Sequence, residues 1–308
     1  MTMGAVEWAL LATLALLWSG SFFFAKIALA DLPPITLVLA RVGLASISLL
    51  AVIALWRIEV KLSWKLIGQF LVMGVLNNIV PFALIFWGQR AIDTGLAAIL
   101  NATTPIFTVL LAHVLTRDEK LTRNRAVGVL FGLLGVTVLI GPHALAGFDL
   151  GAVSQLAIIA AALSYGFAGT YGRRFRGLPP VVPAAGMLTA STVMILPVAL
   201  LIDRPWTLHV SSDTWAALAG LALLSTALGY VVYFRILAAA GATNLLLVTL
   251  LIPIGALTLG ALALDERLAW NAFAGMALIF LGLAAIDGRA ARAVRRISGG
   301  GARLPDGA

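Results

Sequence analysis

The sequence contains no cysteine and only three histidines. Without cysteine the chain can form neither a disulfide, nor a thiolate nucleophile, nor a cysteine-ligated metal centre. The histidines lie far apart and outside any H-E-x-x-H frame, no lysine follows a glycine as a P-loop requires, and no serine lies in a G-x-S-x-G frame. We therefore expect no enzymatic activity, no bound metal and no cofactor.

Charged residues are also scarce. Lys and Arg number 21 and Asp and Glu 13, together 11% of the 308 residues, whereas a soluble domain carries about a quarter. Hydrophobic residues make up 61% of the chain, and its mean hydropathy is +1.04. The apolar residues form runs long enough to cross a bilayer. The sequence predicts an integral membrane protein that contacts the lipid bilayer, with no nucleic acid and no obligatory protein partner.

The hydrophobic runs predict ten spans joined by short connections. They lie near residues 7–29, 34–56, 64–87, 94–115, 124–141, 151–172, 181–202, 214–235, 242–263 and 269–287. We interpret the first as a retained helix and not a cleaved signal peptide, because Glu7 precedes the run and no basic residue does. Since ten is even, both termini share one side of the membrane.

The basic residues indicate which side that is. Sixteen of the 21 fall in the tail and in the loops on the side of the termini, four fall on the opposite side, and Arg41 lies inside the second span. Positive charge favours the cytoplasmic side, so the chain is predicted to be a multi-pass protein of the bacterial inner membrane with both termini inside. The arginine-rich tail, residues 289–308, is expected to be disordered and to lie on anionic headgroups.

The two halves of the chain resemble each other. Residues 118–121 read Asp-Glu-Lys-Leu and residues 265–268 read Asp-Glu-Arg-Leu, an offset of 147. Further pairs recur at offsets of 146 to 148: Gly20 and Gly166, Gly74 and Gly220, Gly95 and Gly241, Pro105 and Pro253, Gly128 and Gly275, and Gly135 and Gly282. Each unit holds five spans, so the second copy enters the membrane from the opposite face. We predict inverted repeats at residues 1–145 and 146–288, an organisation typical of transporters.

Several motifs together point to a known family. The first span contains Trp18-Ser19-Gly20-Ser21-Phe22 followed by Lys26, and the second contains Ala40-Arg41. Each half also contains a proline, Pro105 or Pro253, followed by a glutamate-basic-leucine motif and two glycines. Over residues 7–288 the chain resembles the EamA-type carriers of the drug/metabolite transporter superfamily, nearest to the YddG-type amino-acid exporters. The resemblance implies an all-α fold of ten transmembrane helices in two inverted five-helix bundles around a central cavity. It also implies a small-molecule substrate, with export of aromatic and other neutral amino acids.

Polar and aromatic residues inside the spans are the candidates for the transport pathway, because polar groups in hydrocarbon are costly unless they face the bundle interior. The substrate-binding candidates are Trp18, Asn77, Asn78, Phe82, Asn101, Thr104, Tyr165 and Tyr230. Proline frees a carbonyl of its helix, so Pro81, Pro105 and Pro253 are candidates for hinges or exposed backbone. We expect spans 1, 3, 4, 6, 8 and 9 to build the cavity. The alternative is that these residues only join helices or kink them.

Lys26 and Arg41 are the basic residues well inside the spans. They are candidates for attracting a substrate carboxylate; the alternative is that they extend to the interface or pair with Asp31 or Asp93. All 13 acidic residues fall at or beyond span ends, which leaves no mid-membrane carboxylate to relay protons. We therefore expect facilitated export by alternating access, with His113 as the one intramembrane imidazole that could couple protons. Export of another small metabolite or drug, and a non-transporting membrane scaffold, are the alternatives.

Overall fold

The computed structural model describes residues 4–115, 121–140, 150–175, 177–240 and 248–287. Within these ranges the secondary structure is helical throughout, with no β-strand. The acidic-basic motif at residues 118–120, Gly241 and the predicted tail at 289–308 lie outside the described residues. The predicted fold class, an all-helical protein with membrane-spanning helices, is confirmed for these residues.

Each predicted span coincides with a helical stretch, numbered here in chain order. The stretches are α1 Ala5–Ala28, α2 Pro34–Leu55, α3 Trp64–Gln89, α4 Thr94–Leu115, α5 Arg123–Ile140, α6 Leu150–Phe175, α7 Val181–Ile202, α8 Ser212–Ala219 with its continuations Gly220–Leu228 and Gly229–Ala240, α9 Val248–Ala263 and α10 Trp270–Asp287. By length and composition seven of them, α1 to α4 and α6 to α8, can each cross a membrane, and α9 and α10 contain shorter apolar helices. Ten crossings remain a prediction.

Two helices contain π-turns at corresponding places in the two halves, Val75–Ile79 in α3 and Gly220–Leu228 in α8. In α3 the turn precedes Pro81, which has no N–H for the carbonyl four residues back. The Val80 N–H instead reaches the Val75 carbonyl, five residues back. Such turns are frequent at functional sites because they offset the side chains that follow.

The two halves interlock. Helix α1 contacts α8 and α9, and its counterpart in the second half, α6, contacts α3 and α4. Helix α2 contacts α7 and α8, and its counterpart α7 contacts α2 and α3. The pairs α5 with α10 and α4 with α9 complete the set. Every helix therefore packs against the other half of the chain, and the core that they bury is continuous across both.

Helices α5 and α10 cross at four glycines. A methyl group on Gly128 would lie 2.5 Å from the Gly282 carbonyl oxygen, and one on Gly135 would lie 2.7 Å from the Gly275 carbonyl oxygen. Only glycine lets the two backbones approach this closely, as at small-residue interfaces between membrane helices. These four glycines are among those that recur between the two halves of the sequence.

Loop carboxylates tie the two halves together at one end of the bundle. Asp203, after α7, accepts hydrogen bonds from the backbone N–H and the hydroxyl of Thr36 in the first turn of α2, both at 2.8 Å. Glu266, after α9, accepts from the N–H groups of Thr94 and Gly95 at the start of α4, at 2.9 and 3.4 Å. Each acid satisfies free N–H groups at a helix start and interacts favourably with the helix dipole.

Asp31 plays the same role for α8. It accepts hydrogen bonds from the hydroxyl and the N–H of Ser211 and from the Thr214 hydroxyl, and these bonds, the Ser211 hydroxyl foremost, lower the pKa of its carboxyl. An acid whose pKa is lowered by folding stabilises the protein above its unfolded pKa of about 3.9, and that contribution disappears as pH falls through the folded pKa.

We therefore expect Asp31→Asn to lower the melting temperature of the detergent-solubilised protein at pH 7. The difference from wild type is expected to shrink as the pH falls below about 4, because the wild-type carboxyl is then protonated as well. Melting curves of both proteins across this range test the prediction. Glu59→Gln, at an exposed position, is the control. A difference that persists unchanged at low pH would contradict the role given to Asp31.

Candidate functional site

A buried arginine lies where the two halves of the chain meet. Arg41, on α2, exposes 8% of its surface. Its Nε donates a hydrogen bond to the Thr226 hydroxyl of α8 at 3.0 Å, and that hydroxyl donates to the Leu221 carbonyl at 2.8 Å. The guanidinium carbon lies 3.7 Å from the ring centroid of Phe82 on α3, a cation–π contact. One buried cation thus joins α2, α3 and α8.

Two asparagines in the π-turn of α3 bring further polar groups to the same interface. The Asn77 amide donates to the Tyr230 hydroxyl of α8 at 3.1 Å and to the Asn78 side-chain oxygen at 3.4 Å. Asn78 is fully buried and donates to the Ser191 hydroxyl of α7 at 3.0 Å. The Ser191 hydroxyl donates to the Gly74 carbonyl at 3.2 Å. The π-turn is thus held to α7 and α8 by side-chain hydrogen bonds.

Aromatic rings complete this region. Tyr165 of α6 and Tyr230 lie within electrostatic range of the Arg41 charge. On α1, the Trp18 ring lies 5.7 Å, centroid to centroid, from the ring of Tyr233 on α8. The structure therefore assembles polar and aromatic side chains from α1, α2, α3, α6, α7 and α8. We call this set the Arg41 cluster. It consists of Arg41, Trp18, Asn77, Asn78, Phe82, Tyr165, Ser191, Thr226, Tyr230 and Tyr233.

The candidates on α4 lie around the break in that helix. Pro105 removes the N–H that the Asn101 carbonyl would accept, and the Thr104 hydroxyl donates to that carbonyl at 2.7 Å instead. The side-chain oxygen of Asn101 is buried and has no hydrogen-bond partner in the described part of the chain. Asn101 therefore holds an acceptor that a ligand can use, one of six such buried side-chain atoms in the described part of the chain.

The other proline candidates lie in comparable settings. Pro81 directly follows the π-turn of α3. Pro253 lies inside α9, and the carbonyl of its neighbour Ile252 accepts a hydrogen bond from the Ser19 hydroxyl of α1 at 2.8 Å. At both prolines the backbone departs from regular α-helical hydrogen bonding, at positions where the two halves of the chain touch.

Lys26 lies away from the Arg41 cluster, at the end of the bundle that carries the loop carboxylates. Its ammonium donates to the carbonyls of Gln89 and Ile92 at 2.8 and 2.9 Å, groups left free at the end of α3. Burial and the nearby Glu266 raise the pKa of the Asp93 carboxyl, and the Lys26 charge opposes this rise. The Lys26 ammonium thus binds backbone carbonyls. Asp31 instead accepts hydrogen bonds at the start of α8, and among the described contacts it forms no ion pair with Lys26.

Sequence reasoning missed one contributor. Ser191 receives the Asn78 hydrogen bond, although α7 was not among the helices expected to line the cavity. A signal was available, since Ser191 is a polar residue near the middle of α7. Thr226 lies four residues before Tyr230 on the same helix face, a spacing that indicates a polar stripe. The structure adds that the Thr226 hydroxyl anchors Arg41.

Two segments of the chain, residues 6–141 and 153–286, match the EamA-like transporter family. The chain belongs to this family. Two similar proteins are transporters by name. One from Bacillus subtilis, the uncharacterized transporter YoaV, is 24% identical over 276 residues, or 88% of this chain and 93% of that protein. A probable amino-acid metabolite efflux pump from Escherichia coli is 26% identical over 276 residues, 86% of this chain and 89% of the pump.

The fold of this EamA-like transporter is also found in a solved crystal structure of a protein. The two superpose with a TM-score of 0.67 at 21% identity, covering 95% of this chain and 99% of the other. At that identity the likeness establishes the fold alone. Together with the family match, it makes the protein a polytopic membrane transporter, and the Arg41 cluster is its candidate substrate site.

Proposed function

We propose that this EamA-like transporter exports amino acids, aromatic and other neutral ones, out of the bacterial cytoplasm. In this proposal ten helices cross the inner membrane as two inverted repeats with both termini inside, and the protein alternates between states open to either side. The interlocked contacts of corresponding helices support the repeats, because two similar halves that can pack in either of two ways expose one shared site alternately. The efflux pump among its relatives supports the substrate class.

The observation that carries the proposal is the chemistry of the Arg41 cluster. The Thr226 hydroxyl accepts a hydrogen bond from one buried guanidinium, and the Tyr230 hydroxyl, which the Asn77 amide contacts, lies within electrostatic range of that charge. A neutral amino acid offers a carboxylate for the cation, and its amino group can be held by amide and hydroxyl oxygens. Its side chain would lie against Trp18, Phe82 and Tyr165.

The binding groups are neutral apart from one cation, which supports facilitated transport over proton coupling. In the described helices the acidic residues lie in first or last turns: Glu7 in α1, Asp213 in α8 and Asp287 at the end of α10. A carboxylate relay at mid-membrane, the commonest device for proton coupling, would have to come from elsewhere. His113 lies near the end of α4, and its Nδ1 accepts a hydrogen bond from the Leu121 N–H at 3.1 Å.

Counterflow in proteoliposomes tests the proposal. Vesicles preloaded with unlabelled phenylalanine, a sugar or a cationic drug are diluted into the same labelled compound, and uptake is compared with empty vesicles and with protein-free vesicles. We expect saturable counterflow for phenylalanine. Counterflow for the sugar or the drug alone would assign the protein to another small metabolite or drug, and none for any compound would favour a membrane scaffold.

Replacing Tyr230 by Ala, or Asn101 by Ala, is expected to slow phenylalanine counterflow at least about tenfold without lowering the amount of folded protein. The first change removes a hydroxyl of the Arg41 cluster, and the second removes the open acceptor of Asn101, which we assign to the substrate. A buried hydrogen bond that is lost costs about 1–2 kcal/mol. Tyr230→Phe keeps the ring and isolates the hydroxyl. Wild-type rates in both alanine variants would remove these helix faces from the pathway.

A further inference from the structure

We propose that Arg41 is the carboxylate-binding residue of the transporter, and that the substrate's amino group adds little to binding. The site would then favour monocarboxylate anions that carry an aromatic group, including N-acyl and 2-oxo relatives of amino acids, over the zwitterions themselves. This inference rests on the proposed function and shifts the preferred substrate at the same site from the amino acids to their anionic relatives.

Arg41 carries a buried charge that no acidic residue in the described part of the chain neutralises. A buried cation in a membrane protein normally pairs with an acid, because an uncompensated charge in low dielectric is costly. In the described part of the chain no Asp or Glu forms an ion pair with Arg41, and its one hydrogen bond is that from Nε to Thr226. The terminal nitrogens of the guanidinium therefore have no protein acceptor among the described residues.

The protein groups around the Arg41 guanidinium leave its terminal nitrogens for a ligand. Phe82 covers one face of the guanidinium at 3.7 Å and Phe86 lies farther along the same helix, at 5.8 Å. Thr226 occupies the Nε position. The edge formed by the terminal nitrogens is left for binding, and two parallel N–H groups match the two oxygens of a carboxylate. The Phe82 and Phe86 rings near the guanidinium provide an apolar surface for an aromatic substituent.

The net charge of the occupied site depends on the charge of the ligand bound to Arg41. A monoanion bound at Arg41 makes the pair neutral, whereas a zwitterion leaves one positive charge in the same low-dielectric region. The polar groups near the cation are the neutral hydroxyls of Thr226, Tyr165 and Tyr230. Neutral oxygens stabilise an ammonium less than a carboxylate does. The cluster therefore fits a single negative charge better than a pair of opposite charges.

A charge series on a common phenyl ring tests this in the wild-type protein. N-acetylphenylalanine is an anion, phenylalanine a zwitterion and phenethylamine a cation at pH 7. As competitors of labelled phenylalanine counterflow, we expect the anion to inhibit at about tenfold lower concentration than phenylalanine, and the cation to be inactive at concentrations about tenfold higher. Equal inhibition by the cation, or anion inhibition weaker than that by phenylalanine, would overturn the inference while leaving amino-acid export intact.

The charge series also ties the preference to this one side chain. Thermal shifts, which need no transport, make the comparison in the variants: in Arg41→Gln the anion is expected to stabilise the protein no more than phenylalanine does, whereas Arg41→Lys keeps a cation and is expected to keep part of the anion's advantage. If phenylalanine shows no counterflow, the proposal of amino-acid export is wrong. Thermal shifts of the solubilised wild-type protein with the same three compounds then test whether Arg41 binds a carboxylate. Stabilisation by the anion alone supports it, and stabilisation by none overturns it.

Electrical behaviour gives a further readout. An inside-negative potential drives a bound monoanion outward but exerts no net force on a zwitterion. We expect such a potential to accelerate N-acetylphenylalanine efflux from proteoliposomes and to leave phenylalanine efflux unchanged. Equal responses of the two compounds would contradict a site that carries the anion outward without a co-transported cation.

Discussion

Arg41→Gln is expected to reduce phenylalanine transport about a hundredfold while the protein still folds. Losing a buried, charge-assisted carboxylate contact costs roughly 2–5 kcal/mol, and about 3 kcal/mol corresponds to a hundredfold change in rate or affinity. The change itself is tolerable for the fold, because glutamine keeps a hydrogen-bonding amide near Thr226 and removes a buried charge whose desolvation is costly. Initial rates of counterflow, normalised to the amount of folded protein, measure the effect.

Two variants show whether the loss belongs to the position or to charge in general. Arg41→Lys keeps the cation but loses the planar fork, so we expect a smaller loss, about tenfold. Arg90→Gln removes an exposed arginine beyond the end of α3 and is expected to transport at the wild-type rate. Transport by Arg41→Gln within twofold of wild type would exclude Arg41 from the substrate site.

Gly282→Ala is expected to cause a large loss of stability for a single added methyl group. Its Cβ would lie 2.5 Å from the Gly128 carbonyl oxygen and 2.8 Å from the Gly132 nitrogen. Both are backbone atoms that cannot move without separating α5 from α10. Overpacking of this kind costs about 1–3 kcal/mol, which outweighs the gain of up to about 1 kcal/mol in helix propensity from Gly to Ala.

The chain offers a matched control for this change. A Cβ on Gly68, in α3, meets no atom within 4 Å, so Gly68→Ala is expected to leave the melting temperature unchanged or to raise it. The two variants differ only in their surroundings. Equal melting temperatures for Gly282→Ala and Gly68→Ala in detergent would show that α5 and α10 do not touch at these glycines.

The helix positions were predictable because lipid demands long apolar runs, and the chain marks their ends. The prediction of 34–56 corresponds to α2 at Pro34–Leu55, where a proline begins the helix, and the prediction of 94–115 corresponds to α4 at Thr94–Leu115. The glycines that recur between the halves were also visible in the sequence, and their contacts in α5 and α10 show why no larger residue fits there.

The side-chain contacts could not be predicted in the same way. Whether Lys26 meets a carboxylate or a helix end depends on how α1 packs beside α3, a tertiary property that hydropathy does not encode. The π-turn of α3 sets the direction of Asn77 and Asn78, and a local pattern shows only that Pro81 disturbs the helix. The Arg41 contacts require α2, α3 and α8 to converge, which pattern reasoning within one span does not reveal.

A steady-state accumulation ratio separates a facilitator from a proton-coupled carrier. Wild-type proteoliposomes that show saturable phenylalanine counterflow are given an imposed pH gradient, and labelled phenylalanine is measured inside and outside at equal pH and under the gradient. The neutral polar groups and single cation of the Arg41 cluster predict an inside-to-outside ratio of one in both cases. Accumulation several-fold above one, abolished by a protonophore and lost in His113→Ala, would contradict facilitated export.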